Sequence, residues 1–200
     1  MPLIGVTGGL ATGKSLVSSM LVDLGARLID CDVLAREVTA PGSDGLTKVK
    51  AEFGETVIRD DGALNREELA SLVFSDPAKL SALEGILHPI IKQLVMLRSK
   101  EIISKDKDAV VVVDAPLLFE SGLSHNMDRN IVVVCELKEQ KLRAKRRGGL
   151  SEGQIESRIA AQAPLSKKSE MADYIIDNSG KENETLAQVG EVWRKIRVSG

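Results

Sequence analysis

The sequence predicts an α/β fold in which a parallel sheet is flanked by helices. Three observations support this prediction. An apolar run at 3–7 leads into a glycine-rich loop and a helical pattern, valine-rich runs recur at 109–113 and 131–134, and segments with helical spacing lie between them. Continuous β-branched runs are typical of strands that are covered on both faces in a parallel sheet. Their alternation with helices predicts a doubly wound arrangement.

The predicted elements follow in order along the chain. Residues 3–7 predict the first strand, and 15–24 predict a helix because apolar residues recur there at helical spacing. Gly25 suits the position after the end of a helix, and 26–29 resembles a second strand. The remaining elements are three strands and a C-terminal helix, at 109–113, 131–134, 174–176 and 182–198. Trp193 is expected to pack in the core, because the apolar residues around it form one helix face.

We expect the 200 residues to form one unit with three parts. Residues 41–105 are helical and polar, carry turn signals and contain no convincing buried strand, which predicts an inserted helical region. A basic stretch follows the fourth strand and ends at two glycines, which predicts a lid at 139–165. The core is then predicted to comprise 1–40, 106–138 and 166–200.

Composition excludes several classes of protein. The chain is 43% hydrophobic and 28% charged, which is typical of a globular protein and excludes a disordered one. A net charge of −2 provides no global basic field for nucleic acid. Cys31 and Cys135 match no disulfide or zinc pattern and are expected to be buried thiols. No run approaches the roughly 18 apolar residues of a membrane span, so a cytoplasmic protein is expected.

Residues Gly8–Ser15, with the sequence GGLATGKS, match a phosphate-binding loop at every fixed position. In such a loop, successive backbone N–H groups and the N-terminus of the next helix bind phosphate oxygens. Gly8 and Gly13 permit the necessary torsions, Lys14 supplies a positive charge, and Ser15 supplies an oxygen ligand for Mg²⁺. The loop predicts a nucleoside triphosphate with Mg²⁺ and leaves open whether the phosphate passes to water or to a substrate.

Carboxylates follow two of the predicted strands. Asp30 and Asp32 come directly after the second strand, at the edge where a doubly wound sheet binds ligands. Asp32 is favoured as the base for an attacking hydroxyl, whereas Asp30 shares such a role or caps the next helix. Asp114 follows four valines and is a second candidate ligand for Mg²⁺, or else a cap or turn residue. The chain lacks an Asn-Lys-x-Asp segment, so guanine specificity is not expected.

For several basic and polar residues later in the chain, the sequence allows either a functional or a purely structural role. Arg143 and Arg147 precede the glycine pair and suit a lid that neutralises a transferring phosphoryl group, although a basic stretch also suits a solvated helix face. His88 precedes Pro89, which favours a helix boundary there. Arg158 and Gln162, four residues apart, also suit surface neighbours on one helix.

Over nearly the whole chain, the order and spacing of these motifs resemble the dephospho-CoA kinase family. The segments that carry the resemblance are Gly5–Ser15, Asp30–Arg36, Gly62–Arg66, Leu87–Ile90, Pro116–Glu120, Arg143 with Arg147, Arg158 with Gln162, and Ala172–Asn178. The resemblance implies a P-loop kinase fold with a five-stranded parallel sheet, a helical region that binds the substrate, and a lid. It also implies ATP-dependent phosphorylation of the ribose 3′-hydroxyl of dephospho-CoA, the final step of coenzyme A biosynthesis.

The resemblance also implies roles for particular residues. Asp32 would be the base, with Lys14 and Arg143 as further catalytic residues. The ATP site would comprise Gly9, Leu10, Ala11, Thr12, Gly13, Lys14, Ser15, Arg143, Arg147 and Asn178, with Asn178 near the adenine. The dephospho-CoA site would comprise Asp32, Arg36, His88, Pro116, Leu117, Leu118, Glu120, Arg158 and Gln162. Mg²⁺ would bind Ser15 and Asp114.

Three positions depart from the family pattern. Ala11 stands where the family commonly has glycine, which adds backbone strain if φ is positive there; Cys31 replaces alanine, and Gly148 replaces asparagine. A nucleoside or nucleotide kinase, a regulatory NTPase and an ATP-binding scaffold remain as alternatives, and Glu120 could instead pair with a nearby basic side chain. The expected partners are small molecules, with no nucleic acid or membrane, for a monomer or weak homo-oligomer.

Overall fold

The computed structural model describes residues 2–74, 76–149, 151–160 and 162–198. The chain divides into two compact units, of which one is Met1–Ile29 with Ser99–Gly200 and the other is Asp30–Arg98. Of the predicted ranges, the lid contains Leu150 and Ala161, the helical region Ser75, and the core Met1, Ser199 and Gly200, all of which lie outside the described residues.

The described part of the first unit is built on a five-stranded sheet. Its strands are β1 Leu3–Gly8, β2 Arg27–Asp30, β3 Val111–Asp114, β4 Arg129–Val134 and β5 Tyr174–Asp177, in the spatial order β2-β3-β1-β4-β5. β1 runs parallel to both neighbours, with Leu3 opposite Val111 and Ile4 opposite Arg129. Every residue of β1 and β3 is buried, which explains their continuous apolar composition. The predicted five-stranded parallel sheet is confirmed.

The helices are numbered in chain order. They are α1 Lys14–Asp23, α2 Cys31–Glu37, α3 Asp44–Phe53, α4 Arg66–Phe74, α5 Pro77–Lys105, α6 Leu137–Arg147, α7 Glu152–Ala160, α8 Leu165–Glu170 and α9 Glu182–Val198, with short 3₁₀ turns at Glu55–Val57 and Leu123–Asn126. α1 and α9 contribute to the main core beside the sheet. Trp193 of α9 is 8% exposed in this core, which confirms its predicted packing role. Cys31 and Cys135 are buried thiols, as predicted.

The end of α1 shows why the sequence could predict the boundary between this helix and the second strand. Gly25 has a φ of 108°, a torsion that glycine adopts without steric cost. The N–H of Gly25 donates to the Val22 carbonyl at 2.8 Å, and the N–H of Ala26 donates to the Leu21 carbonyl at 3.0 Å. These bonds satisfy carbonyls at the helix end, and β2 begins at Arg27.

The second unit has a small hydrophobic core of its own. Its buried side chains come from α3, α4 and the segment between them, and are Leu46, Val49, Val57, Leu64, Leu69 and Val73. Ser43 caps α3 by accepting a hydrogen bond from the Leu46 N–H at 3.2 Å. Asn65 accepts a bond from the Glu68 N–H at 3.3 Å at the start of α4. Capping side chains therefore begin both helices.

α5 continues through Pro89, so the helix boundary predicted at His88 is wrong. The helix spans Pro77–Lys105, and the hydrogen bond that Pro89 cannot donate is one among many. By length and composition alone, α5 could cross a membrane, because an 18-residue window within it has a mean hydropathy of 1.3. One helix of this kind is weak evidence for a membrane span.

A buried lysine anchors the segment that follows β3. Lys168 of α8 is 0% exposed, donates to the Pro116 carbonyl at 3.1 Å and forms a 2.8 Å ion pair with Glu120. The hydroxyl of Thr7 in β1 donates to the same carbonyl at 3.1 Å. A buried ammonium group requires such pairing, because leaving it unpaired is costly. These contacts therefore fix residues 116–120 against β1 and α8.

Replacing Lys168 by Met is expected to lower the free energy of unfolding by about 2 kcal/mol, because the Pro116 carbonyl loses a donor and Glu120 loses its partner. The Glu120 side chain is 25% exposed, so water can replace part of the lost interaction. Urea unfolding followed by circular dichroism measures the change. The exposed neighbour Lys167 gives a matched control, since Lys167→Met should change stability by less than about 0.5 kcal/mol. Equal losses in both variants would contradict the anchoring role.

Candidate active site

The phosphate loop, residues 8–15, connects β1 to α1. The backbone N–H and the hydroxyl of Thr12 both donate to the Gly9 carbonyl, at 3.3 and 3.0 Å, and close a turn. Gly13 is the N-cap of α1, and its carbonyl accepts bonds from the N–H groups of Leu16 and Val17 at 3.0 and 3.2 Å. The first N–H groups of a helix point beyond its N-terminus, so this geometry is suited to an anion.

Gly8 and Gly13 of the loop cannot be replaced by a larger residue without strain. Space restricts both positions, and the backbone torsion also restricts Gly13. A Cβ on Gly8 would lie 2.5 Å from Thr12 Oγ1 and 2.8 Å from the Val133 carbonyl oxygen. Gly13 has a φ of 91°, and a Cβ there would overlap the side-chain nitrogen of Asn178. The loop therefore packs closely against β4 and the segment after β5, and side chains at these two positions would prevent this packing.

Lys14 and Asp114 form a largely buried ion pair at the start of α1. The Lys14 ammonium group contacts Asp114 Oδ1, and the two side chains are 14% and 4% exposed. Asp114 Oδ2 accepts a hydrogen bond from the Ser18 hydroxyl at 2.7 Å. Asp114 ends β3 and faces α1, so the alternatives of a helix cap or a turn residue do not describe it. Ser15, the residue after Lys14, is exposed.

Ala11 carries the strain that its departure from glycine predicted. Its φ is +56°, a left-handed torsion that costs an L-residue about 1–2 kcal/mol. The side chain is 6% exposed and packs in a small apolar cluster with Ala144 of α6 and Ile155 of α7. Burial of the methyl group offsets part of the torsional cost. Ala11 therefore joins the phosphate loop to two helices of the predicted lid.

Gln162 also reaches the phosphate loop. Its side-chain oxygen accepts a hydrogen bond from the Leu10 N–H at 2.9 Å. The alternative that Arg158 and Gln162 are surface neighbours on one helix is wrong, because α7 ends at Ala160. The sequence separation of 152 residues between Leu10 and Gln162 explains why no local pattern indicates this contact.

The structure brings one of the two predicted lid arginines to the loop. Arg143 Nη1 lies 3.8 Å from the position that a Cβ on Gly13 would occupy. Arg147 is the last residue of α6 and is exposed, as is Arg158 on α7. The glycines at 148–149 follow α6 with φ values of 72° and 80°. A change of chain direction directly after Arg147 is therefore easy for the backbone.

A cavity of about 270 Å³ lies beside Gly9 of the loop. Its other lining residues come from the end of β4 to the start of α8: Cys135, Leu137, Gln140, Ile159, Gln162, Ala163, Pro164 and Leu165. Gln140 is 4% exposed and donates to the Cys135 carbonyl at 2.8 Å. Burial raises the pKa of the Cys135 thiol, against the lowering effect of the Arg143 charge. A raised pKa favours the protonated thiol, which is a poor nucleophile.

Asn178 lies against the loop backbone. Its Nδ2 donates to the Thr12 carbonyl at 2.8 Å, and its Oδ1 accepts a hydrogen bond from the Thr185 hydroxyl at 2.8 Å. Its backbone N–H donates to the Val134 carbonyl at the end of β4, at 2.9 Å. The predicted position of Asn178 near the adenine of ATP stays a prediction.

The segment after β3 divides between the core and the surface. Pro116 and Leu117 are half-buried, whereas Leu118 is 0% exposed. Leu118 fills the space beside Gly5 of β1, where a Cβ would lie 2.7 Å from Leu118 Cδ2. Glu120 has the basic partner that the sequence allowed as an alternative, in the buried Lys168.

In the second unit, Asp30 has the capping role that the sequence left open. Asp30 Oδ1 accepts bonds from the N–H groups of Asp32 and Val33, at 2.8 and 3.2 Å. Asp32 is exposed in the first turn of α2. His88 lies half-buried inside α5. The two carboxylates therefore differ, because the helix occupies Asp30 and leaves Asp32 at the surface.

A second arginine lies beside Arg36, and the set of predicted site residues did not include it. Burial and the positive charge of Arg36 lower the pKa of Arg66. Arg66 Nη2 donates to the Thr39 hydroxyl at 2.8 Å, and Thr39 in turn donates to the Ala35 carbonyl at 2.7 Å. Two neighbouring guanidinium groups are typical of a site for an anion. The segment Gly62–Arg66, which carries part of the family resemblance, was the signal for this residue.

Comparison with known proteins gives one family. The chain matches the family Dephospho-CoA kinase over residues 2–184. A dephospho-CoA kinase from Symbiobacterium thermophilum is 42% identical over 194 residues, which cover 97% of this chain and 81% of that protein.

Solved structures agree with this result. TT1252 from Thermus thermophilus has a TM-score of 0.83 and 32% identity, with 98% of this chain and 97% of that chain covered. A dephospho-CoA kinase from Campylobacter jejuni has a TM-score of 0.71 and 25% identity, with 98% of each chain covered. The family match and the relatives cover nearly all of the chain, including the phosphate loop and both units. The chain therefore belongs to the dephospho-CoA kinase family.

Proposed function

We propose that this protein transfers the γ-phosphate of ATP to the ribose 3′-hydroxyl of dephospho-CoA and releases coenzyme A and ADP. The observation that carries the proposal is the phosphate loop, with Lys14 paired to Asp114, in a chain that matches this family over residues 2–184. The reaction is the final step of coenzyme A biosynthesis. Its reactants are soluble small molecules, which suits a cytoplasmic enzyme.

The phosphate loop would bind the triphosphate of ATP. Backbone N–H groups and the N-terminus of α1 are donors for phosphate oxygens, and the Lys14 ammonium group would leave Asp114 to contact them. Ser15 and Asp114 supply the hard oxygen ligands that Mg²⁺ prefers. Bound there, Mg²⁺ would neutralise part of the negative charge on the phosphates. Arg143, which lies near Gly13, would add positive charge at the same loop.

Asp32 would act as the base for the acceptor. Its carboxylate would accept the proton of the 3′-hydroxyl as that oxygen bonds to the γ-phosphorus and the bond from the γ-phosphorus to the β,γ-bridging oxygen breaks. ADP leaves with the bridging oxygen. Asp32 suits this role because it is exposed and follows the end of β2, whereas Asp30 is engaged in capping α2.

Arg36 and Arg66 would bind the negatively charged phosphates of dephospho-CoA. The hydrogen bond from Arg66 to Thr39 holds one guanidinium group beside the residues that follow α2. Guanidinium groups bind phosphate through paired hydrogen bonds. An anion between the two arginines would relieve their mutual repulsion, which supports a role for the second unit in holding the acceptor.

An assay with ATP, Mg²⁺ and dephospho-CoA tests the proposed function directly. Mass measurement should show a product heavier than dephospho-CoA by one phosphate, with stoichiometric ADP. Nucleosides and nucleoside monophosphates should be poor acceptors, and their phosphorylation at equal or higher rates would favour a nucleoside or nucleotide kinase. Equal ADP release without any acceptor would favour a regulatory NTPase. No turnover with bound ATP would favour a scaffold.

Asp32→Asn should lower kcat by about 10²- to 10⁴-fold, because the amide cannot accept the hydroxyl proton. Binding of ATP, measured by calorimetry, should be unchanged. The matched control is Asp30→Asn, since asparagine caps a helix as well as aspartate does, and this variant should keep its activity within about threefold. A folded Asp32→Asn enzyme with near-normal turnover would exclude Asp32 as the base.

Arg66→Gln should raise the KM for dephospho-CoA by about 10- to 100-fold, the usual effect of losing a charged hydrogen bond. The KM for ATP should not change. Initial rates at varied concentrations of each substrate separate the two constants. Arg59, exposed in the same unit, supplies the control variant Arg59→Gln, and thermal unfolding checks that the lost bond to Thr39 leaves the fold intact. A rise confined to the KM for ATP would contradict this assignment.

A further inference from the structure

The side chain of Asn178 is buried between the loop and α9. Asn178 is 3% exposed and Thr185 of α9 is 0% exposed. The Asn178 side chain donates to Thr12 and accepts from Thr185, each at 2.8 Å. A buried amide must have partners for its polar atoms, and here the protein supplies one for the oxygen and one for the nitrogen.

The partners fix which way the amide points. The Thr12 carbonyl can only accept, so the group facing it must be the NH₂ of Asn178. The Thr185 hydroxyl then donates to the remaining oxygen. Thr185 therefore supports the orientation that the Thr12 carbonyl sets, because it supplies the donor for Asn178 Oδ1.

The orientation of the amide sets the direction of one loop peptide. In a planar trans peptide the carbonyl and the next N–H point in opposite directions. Because the Thr12 carbonyl points to Asn178, the Gly13 N–H points away from it, and such N–H groups are the phosphate donors of a loop of this kind.

The segment that carries Asn178 is itself firmly held. The backbone N–H of Asn178 is bonded to the end of β4 at 2.9 Å. The Ser179 hydroxyl donates to Asp177 Oδ1 at 2.6 Å and accepts from the Glu136 N–H at 2.9 Å. The backbone N–H of Asp177 donates to Gln188 Oε1 at 2.9 Å, and the Asp177 carbonyl accepts a hydrogen bond from Gln188 Nε2 at 2.8 Å. These hydrogen bonds fix the backbone at Asn178, so its side chain contacts the phosphate loop from a fixed position.

We propose that Asn178 is a positioning residue for the Thr12–Gly13 peptide and that it promotes triphosphate binding through this peptide, without reading the base. The proposal rests on the proposed function in one respect, the binding of ATP at the phosphate loop. It assigns Thr185 as the second partner that holds the Asn178 side chain in place. It predicts that loss of either contact weakens every ligand that carries a triphosphate, whatever its base.

The first test compares three ligands, namely ATP, GTP and inorganic tripolyphosphate, each with Mg²⁺ and without an acceptor. In Asn178→Asp a carboxylate oxygen faces the Thr12 carbonyl, and the two acceptors repel. Calorimetry should show Kd values raised by about 10- to 100-fold for all three ligands, with the ratio between ATP and GTP unchanged. A loss confined to ATP would show that Asn178 reads adenine and would overturn the proposal, as would unchanged binding of all three.

The second test uses Thr185, which is fully buried and so cannot touch a base. Thr185→Val keeps the shape and removes the hydroxyl, and it should raise the Kd of all three ligands by about 5-fold. Thr185→Ser keeps the hydroxyl and should restore wild-type affinity. Wild-type affinity in a folded Thr185→Val protein would overturn the assignment of Thr185. This variant also tests the proposal if Asn178→Asp fails to fold.

Binding without an acceptor keeps this proposal separate from the proposed reaction. If the wild-type protein binds all three ligands but does not phosphorylate dephospho-CoA, the proposed function fails and the result for Asn178 still stands. If the wild-type protein binds none of them, both proposals are overturned.

Discussion

The structure of the first unit depends on a constraint at the phosphate loop. A loop that presents backbone N–H groups to a ligand cannot use the pairings that stabilise helices and strands. Distant segments stabilise it instead. Asn178 holds the Thr12 carbonyl, Gln162 holds the Leu10 N–H, and α6 and α7 enclose the methyl group of Ala11. These contacts come from residues after β4, so the shape of the loop depends on packing against the C-terminal third of the chain.

Charge is arranged locally and not over the whole surface. The chain as a whole is slightly acidic, with a net charge of −2, yet it concentrates positive charge where phosphates are expected. Lys14 is balanced by Asp114 in the loop, which spares the free protein an unpaired buried ammonium group. Arg36 and Arg66 are exposed on the second unit and near enough for their charges to repel, although water lessens this repulsion. Anion binding thus depends on the placement of a few side chains.

Local patterns predicted the fold better than the site. The strand, loop and helix at the N-terminus follow from apolar spacing and glycine positions within 25 residues, and the valine runs mark buried strands. The course of α5 through Pro89 was missed, because a long helix tolerates one lost hydrogen bond. Contacts of the loop with Gln162 and Asn178 span 152 and 166 residues. Hydrophobic periodicity carries no information about contacts over such separations. The sequence could therefore mark these residues as candidates by their chemical type, but it could not predict which loop atoms they contact.

The left-handed alanine in the loop restricts how the sequence can vary. Glycine at position 11 would relieve the torsion but leave a void the size of a methyl group beside Ala144 and Ile155. Any larger side chain would suit neither the torsion nor the space. Positions 11, 144 and 155 should consequently vary together among relatives, with glycine in the loop accompanied by bulkier partners on the two helices.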